Sequence, residues 1–188
     1  MFLANPCRTT RPLALLERRE VLAGLGAAAI AWPARAQSVS ADPDHQSSTV
    51  LPAELAQLLA SPMPPLLFDV REPAEFAVSR IAGAISVPPS TDYAEFVVRH
   101  GEASRGRTAV FYCTTAARSS VLALGVEDAL LQSGAQAVRV LAGGLVAWHN
   151  EQRPLTNDAG ATDAIHPFQT RLLRLLKRPA SAIRLQDP

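Results

Sequence analysis

Short apolar runs alternate with longer mixed segments through the middle of this chain. Leu66-Leu67-Phe68-Asp69-Val70, Ala84-Ile85-Ser86-Val87, Thr108 to Tyr112 and Ala137-Val138-Arg139-Val140-Leu141 are each four or five residues long and rich in aliphatic or aromatic side chains. Runs of that length with little polar alternation predict strands buried on both faces. The segments between them carry a helical apolar period. Pro52 with Leu55, Leu58 and Leu59 predicts a short helix that ends at the Pro62 to Pro65 cluster, and Arg71-Glu72-Pro73 starts a second bearing Phe76 and Val78. Tyr93, Phe96 and Val97 mark a third over Asp92 to His100, with Gly101 to Arg107 as a polar connection. The longest helix is expected from Arg118 to Ser133, with Val121, Leu122, Leu124, Val126, Leu130 and Leu131 turned inward and Gly134 as its stop. Gly143-Gly144 opens a last helix with Leu145 and Trp148, which Pro154 ends. Strand and helix in alternation predict an α/β domain, a parallel sheet flanked by helices on both faces, whose ligands bind at the carboxyl ends of the strands.

The two ends differ from this pattern. Arg8, Arg11, Arg18 and Arg19 precede the 12-residue apolar run Val21 to Trp32, and Pro33 and Ala34-Arg35-Ala36 follow. Basic, apolar and small segments in that order predict a bacterial export signal over residues 1–36, cleaved after Ala36. Arg18-Arg19 resembles a twin-arginine signal, although Glu17 stands where Ser or Thr is usual, and the general secretory route is the other option. A membrane anchor needs about 20 apolar residues, more than this run supplies. Gln37 to Ser48 is polar, with Asp42-Pro43-Asp44 as a turn, and reads as a flexible linker. The domain is expected over residues 49–155, followed by an extension, residues 156–188. In the extension, Arg171-Leu172-Leu173-Arg174-Leu175-Leu176-Lys177-Arg178 spaces leucine pairs by basic residues, as a short basic amphipathic helix would. It is expected to pack on the domain's flank, loose contact with a membrane surface being the alternative.

Loss of residues 1–36 would leave 152 residues, enough for one domain with a single core. The remaining 13 basic and 15 acidic side chains give no electrostatic case for a nucleic-acid partner. Of the two cysteines, Cys7 lies in the signal, so Cys113 would be the only thiol of a periplasmic protein. Such a thiol has no partner in its own chain.

Cys113 directly follows the run Ala109-Val110-Phe111-Tyr112 and directly precedes Thr114-Thr115-Ala116-Ala117-Arg118-Ser119. A strand that delivers a thiol to a turn and a helix N-terminus, with an arginine beside it, favours the nucleophilic thiolate. A cysteine ending an apolar strand can equally be packing. Both readings stay open on the local residues, and the absence of a second thiol tips the balance toward reactivity. His149 and His166 stand at unrelated spacings without a ligand cluster, so neither a metal nor a cofactor is expected.

Over roughly residues 49–155 the chain resembles the rhodanese-like sulfurtransferases. The segments that carry the resemblance, in order, are Asp69-Val70-Arg71-Glu72-Pro73-Ala74-Glu75-Phe76, Ile81 to Pro88, the loop Cys113 to Ser119, and Leu141-Ala142-Gly143-Gly144-Leu145-Val146-Ala147-Trp148. The resemblance implies a parallel five-stranded sheet and a sulfur-carrying Cys113. A small sulfur-containing donor such as thiosulfate would leave a persulfide there, and a thiol or cyanide would accept it. It also implies that the amides of Thr114, Thr115, Ala116, Ala117 and Arg118 surround the sulfur. Arg118 would orient the loop and an anionic donor, or pair with an acidic neighbour such as Asp69. Asp69, Arg71 and Ser119 would support the loop by hydrogen bonds. Four residues separate Cys113 from Arg118, the count of the family's sulfurtransferases; related phosphatases and arsenate reductases place five. Ala116 stands where the family commonly has glycine, and a left-handed alanine costs on the order of 1 kcal/mol. Ser79-Arg80 and Gln152-Arg153 also depart from frequent family residues, at positions expected to affect surfaces. A non-catalytic or redox-sensing module that docks a protein partner is the competing expectation. No particular partner is indicated.

Overall fold

The computed structural model describes residues 48–177. The expected signal over residues 1–36, the linker up to residue 47 and the extension after residue 177 lie outside the described residues. The strands are β1 (Ser48–Val50), β2 (Leu66–Asp69), β3 (Ile85–Ser86), β4 (Thr108–Tyr112) and β5 (Ala137–Leu141). They form one parallel sheet in the order β1-β5-β4-β2-β3. The chain runs from β2 outward to β3 on one side and from β4 outward to β5 on the other. The reversal between β2 and β4 opens a crevice at their carboxyl ends, where ligands bind in sheets of this kind. Cys113 follows β4 directly, and Asp69 ends β2.

Side chains alternate across β4 because successive Cβ atoms point to opposite faces. Ala109, Phe111 and Cys113 join Phe68, Phe96, Leu122, Val126 and Leu130 on the face covered by α3 (Tyr93–Ser104) and α4 (Ala117–Gln132). Val110 and Tyr112 join Leu55, Leu145, Trp148 and Ile165 on the face covered by α1 (Pro52–Leu59) and α5 (Gly144–Asn150). The sheet is therefore apolar on both sides, as the unbroken apolar runs predict.

Several expectations are corrected. α3 does not stop at His100 but continues through Gly101 to Ser104. Gly101 is a packing position: a Cβ there would stand 3.1 Å from Ser133 Oγ, so its bare backbone lets α3 lie close to the end of α4. In α4 the buried residues are Ser119, Leu122, Ala123, Val126 and Leu130, whereas Val121, Leu124 and Leu131 are exposed. The exposed three lie a residue out of phase, about 100° round the helix from the inward stripe. Residues 156–162 belong to a hairpin of β6 (Leu155–Asn157) and β7 (Gly160–Thr162), held to the domain by reciprocal backbone bonds between Thr156 and Arg80. The basic segment forms a 3₁₀ helix, Thr170–Leu175, with no buried residue. Its leucine pairs recur every three residues, which is the 3₁₀ period. It ends on the flank of the domain, where the Asn150 side chain donates to Leu175 O (2.9 Å) and accepts from Lys177 N (2.8 Å).

Candidate active site

Cys113 is free and nearly closed off, with 1% of its surface exposed. The backbone turns after it at Ala116, which has φ 85° and serves as the N-cap of α4. Alanine occupies the left-handed region there, so the expected strain is real, and the turn that requires it starts the helix. Ser119 Oγ and Ser120 Oγ both donate to Ala116 O, at 2.9 and 3.0 Å, and secure the junction from inside the helix. Ser119 thus braces the junction of the loop and α4. No side chain caps the first turn of α4. Its leading N–H groups are the unsatisfied donors that every helix N-terminus carries.

The loop is gripped from behind by the start of α5. Leu145 N donates to Cys113 O at 2.8 Å and Val146 N to Thr114 O at 3.1 Å. A Cβ on Gly144 would lie 2.4 Å from Cys113 O, and its φ is 60°. Only glycine combines that conformation with that approach. Gly144 therefore sets the depth at which the loop sits, a role the double glycine after β5 signals in sequence only as a turn.

Arg118 does not pair with Asp69. Its Nη1 donates to Glu75 Oε2 at 2.6 Å, and its Nη2 donates to Glu75 Oε1 at 2.9 Å and to Thr114 Oγ1 at 3.0 Å. Thr114 Oγ1 in turn donates to Glu75 Oε1 at 3.0 Å, and Glu72 N donates to Glu75 Oε2 at 3.1 Å. Glu75 (1% exposed) is thus the hub that ties α2 (Pro73–Val78) to both ends of the loop. In the sequence Glu75 is marked only by its place three residues after Glu72, where a carboxylate reaches back to the start of a helix. Burial opposes the Arg118 charge, and the hydrogen bonds and charge of Glu75 outweigh it, with a smaller contribution from Cys113 alongside.

Burial also works to raise the Glu75 carboxyl. Hydrogen bonds from Arg118 and from the Glu72 backbone, the Arg118 charge and Thr114 overcome it, so the group sits below its ordinary value. A depressed carboxylate adds stability that is complete above its unfolded value, about 4.3, and is lost as pH falls through the folded one. Urea midpoints measured against pH should therefore fall below about pH 4.3, and Glu75→Gln should flatten that part of the profile. Parallel profiles for the two proteins would contradict the role of Glu75.

Asp69 and Arg71 are also corrected. Both are fully buried, and Arg71 Nε and Nη2 donate to the two Asp69 oxygens at 2.7 and 2.5 Å. Nη2 also donates to Ser79 O at 2.6 Å. The pair clamps the carboxyl end of β2 to the residue after α2 and does not hydrogen-bond the loop directly. The Arg71 side chain turns back on its own strand end because the carboxylate two residues earlier matches its fork. Burial raises the Asp69 carboxyl against the pull of Arg71, and it opposes the Arg71 charge, which Asp69 restores.

The extension also reaches this region. The Phe168 ring lies over Arg118, with the guanidinium carbon 4.0 Å from its centroid. Half-buried His166 is held below its ordinary imidazole value by burial, with Glu75 pulling upward and Arg71 and Arg118 pushing down. His149 is buried in α5. Among the described residues no group of three His, Cys, Asp or Glu side chains is placed to hold a metal ion. A depression of about 530 Å³ lined by Leu59, Leu67, Ile81 and Trp148 includes no residue of the Cys113 loop.

Residues 51–151 match the family model of the rhodanese-like domain. The chain is 34% identical over 113 residues to a probable adenylyltransferase/sulfurtransferase, MoeZ, of Mycobacterium tuberculosis, an alignment that covers 58% of this chain and 26% of that protein. The chain thus spans about a quarter of the length of that relative. It is 33% identical over 106 residues to a sulfurtransferase of Allochromatium vinosum, covering 56% of this chain and 92% of the relative. Among solved structures, a thiosulfate sulfurtransferase from Pseudomonas aeruginosa aligns at 22% identity with a TM-score of 0.48, over 71% of this chain and 24% of the other. With a matched family model over more than half its length and the five-stranded parallel sheet around Cys113, this chain belongs to the rhodanese-like domain family.

Proposed function

We propose that the protein is a sulfurtransferase that carries sulfane sulfur as a persulfide on Cys113. The observation that supports this most is the placement of Cys113 at the crevice between β2 and β4, with four residues between it and Arg118, in the loop that leads to the uncapped N-terminus of α4. The Cys113 thiolate attacks the outer sulfur of a donor, and the donor's S–S bond breaks. The remainder leaves with the electron pair, as sulfite from thiosulfate or as a thiolate from an organic persulfide. A thiol or cyanide then attacks the outer sulfur of the Cys113 persulfide and returns the thiolate. Neither step needs an external electron carrier. The leading N–H groups of α4 supply the partial positive charge that an anionic persulfide requires. Arg118 is a positioning residue, holding the loop on Glu75.

Sulfur held on the protein between two half-reactions gives ping-pong kinetics. Double-reciprocal plots for thiosulfate at several cyanide concentrations should be parallel. Intersecting lines would contradict a persulfide intermediate. The near-complete burial of Cys113 favours a second reading, a module that docks a partner without catalysis, and that reading expects no turnover with any sulfane donor.

We also propose that the chain is exported to the periplasm through its twin-arginine-like signal and cleaved after Ala36. The double substitution Arg18→Lys and Arg19→Lys should leave uncleaved precursor in the cytoplasm. Normal processing of that variant would contradict twin-arginine export.

A further inference from the structure

The family match ends at residue 151, and the segment that returns to the catalytic loop lies beyond it. Ile165, 1% exposed, anchors that segment in the apolar cluster of Leu145 and Trp148, and Pro167 is buried after it. Between these anchors His166 Nδ1 accepts from Phe168 N at 3.2 Å, and Gln169 N donates to Pro167 O at 2.6 Å. Phe168 is held at φ 59°, in the left-handed region that a bulky residue rarely occupies. Such strain persists only where the surroundings over-determine it. What it presents is an aromatic ring on the guanidinium of the catalytic loop.

Arg118 has five N–H donors in a fixed fork. Three are spent, two on Glu75 and one on Thr114, and the Glu75 carboxylate balances the charge. Phe168 then covers the flat face. The loop carries no other charged side chain between Cys113 and Ser119. A dianion drawn to Arg118 therefore meets a guanidinium already paired with Glu75 and covered by a phenyl ring, 38% exposed, whose outer face is electron-rich. A monoanionic sulfane sulfur on an apolar carrier meets an edge that it can pack against.

We infer that Phe168 is a specificity-determining residue of the Cys113 site, by which the C-terminal extension disfavours small dianionic donors and favours a persulfide carried on an organic or peptide thiol. This rests on the sulfur-transfer reading above. In the favoured step the Cys113 thiolate bonds to the outer sulfur of RSS⁻, the RS–S bond breaks, and RS⁻ leaves with the electron pair. Two negative charges enter and two remain.

The test is the rate at which the full chain gains one sulfur on Cys113 from benzyl persulfide, whose carrier is apolar and uncharged, and from thiosulfate, read by intact mass over time. The wild type should load faster from the persulfide. Phe168→Ala should lower the persulfide-to-thiosulfate rate ratio by about tenfold, the scale of a well-shielded cation–π contact, while Phe168→Tyr should keep the wild-type ratio. Both rates come from one preparation, so partial loss of folded protein cancels in the ratio. A ratio unchanged in Phe168→Ala, or a wild type that prefers thiosulfate, would overturn the role of Phe168 and leave sulfur transfer standing. Failure of both donors to load Cys113 in the wild type would overturn sulfur transfer itself, and the inference with it.

Discussion

Replacing Cys113 by serine should remove sulfur transfer while the protein still folds. The hydroxyl at that position is a far weaker nucleophile toward sulfur, and loss of a nucleophile that forms a covalent intermediate lowers turnover by on the order of 10³-fold or more. The buried backbone around it stays gripped by Leu145 and Val146, so far-ultraviolet circular dichroism should show the wild-type spectrum and a cooperative melt. Turnover of the serine protein within about tenfold of wild type would place the chemistry elsewhere. The contrast with the neighbouring arginine is informative. Arg118→Lys keeps a charge but loses the two-pronged contact with Glu75, so it perturbs loop geometry rather than removing the reacting atom.

The largest stability effect is expected at Asp69. Asp69→Ala strips the fully buried Arg71 of the two hydrogen bonds that compensate its charge, and Arg71 Nη1 already lacks a hydrogen-bond partner among the described residues. Breaking a buried ion pair from one side costs about 3–5 kcal/mol, because an uncompensated charge stays inside. Urea denaturation of Asp69→Ala should show a loss of that size, and the double substitution Asp69→Ala with Arg71→Met should recover much of it. A loss below about 1 kcal/mol for the single variant would show that the pair is not the clamp described.

What the sequence reveals depends on how local each cause is. Thr108–Tyr112 and Ala137–Leu141 are read to the residue because short, mostly apolar runs need burial in a sheet, the one charge, Arg139, reaching out to pair with Glu54. Ser48–Val50 carries no such signal: it is three residues long, two of them exposed, and becomes a strand only by pairing with β5 at the sheet edge. Gly101 reads as a break and proves to be a contact, since its neighbour Ser133 is 32 positions away in sequence.

The site divides in the same way. Cys113, the four-residue spacing to Arg118 and the strained Ala116 are local and legible. The partner of Arg118 is not, because which carboxylate it meets depends on how α2 packs over the crevice, and that brings Glu75 rather than Asp69. Phe168 lies 50 residues beyond Arg118, past the family's matched segment, in a stretch whose composition signals only an extension. Its approach is set by the burial of Ile165 and Pro167, which no periodicity in that stretch announces.

Sulfur transfer through Cys113 has one direct test. The purified protein is incubated with a sulfane donor, its intact mass is recorded, and peptide mapping locates any added sulfur before and after cyanide. One added sulfur atom on the peptide containing Cys113, lost on exposure to cyanide with release of thiocyanate, is the predicted result. A mass unchanged by thiosulfate and by glutathione persulfide alike would contradict it.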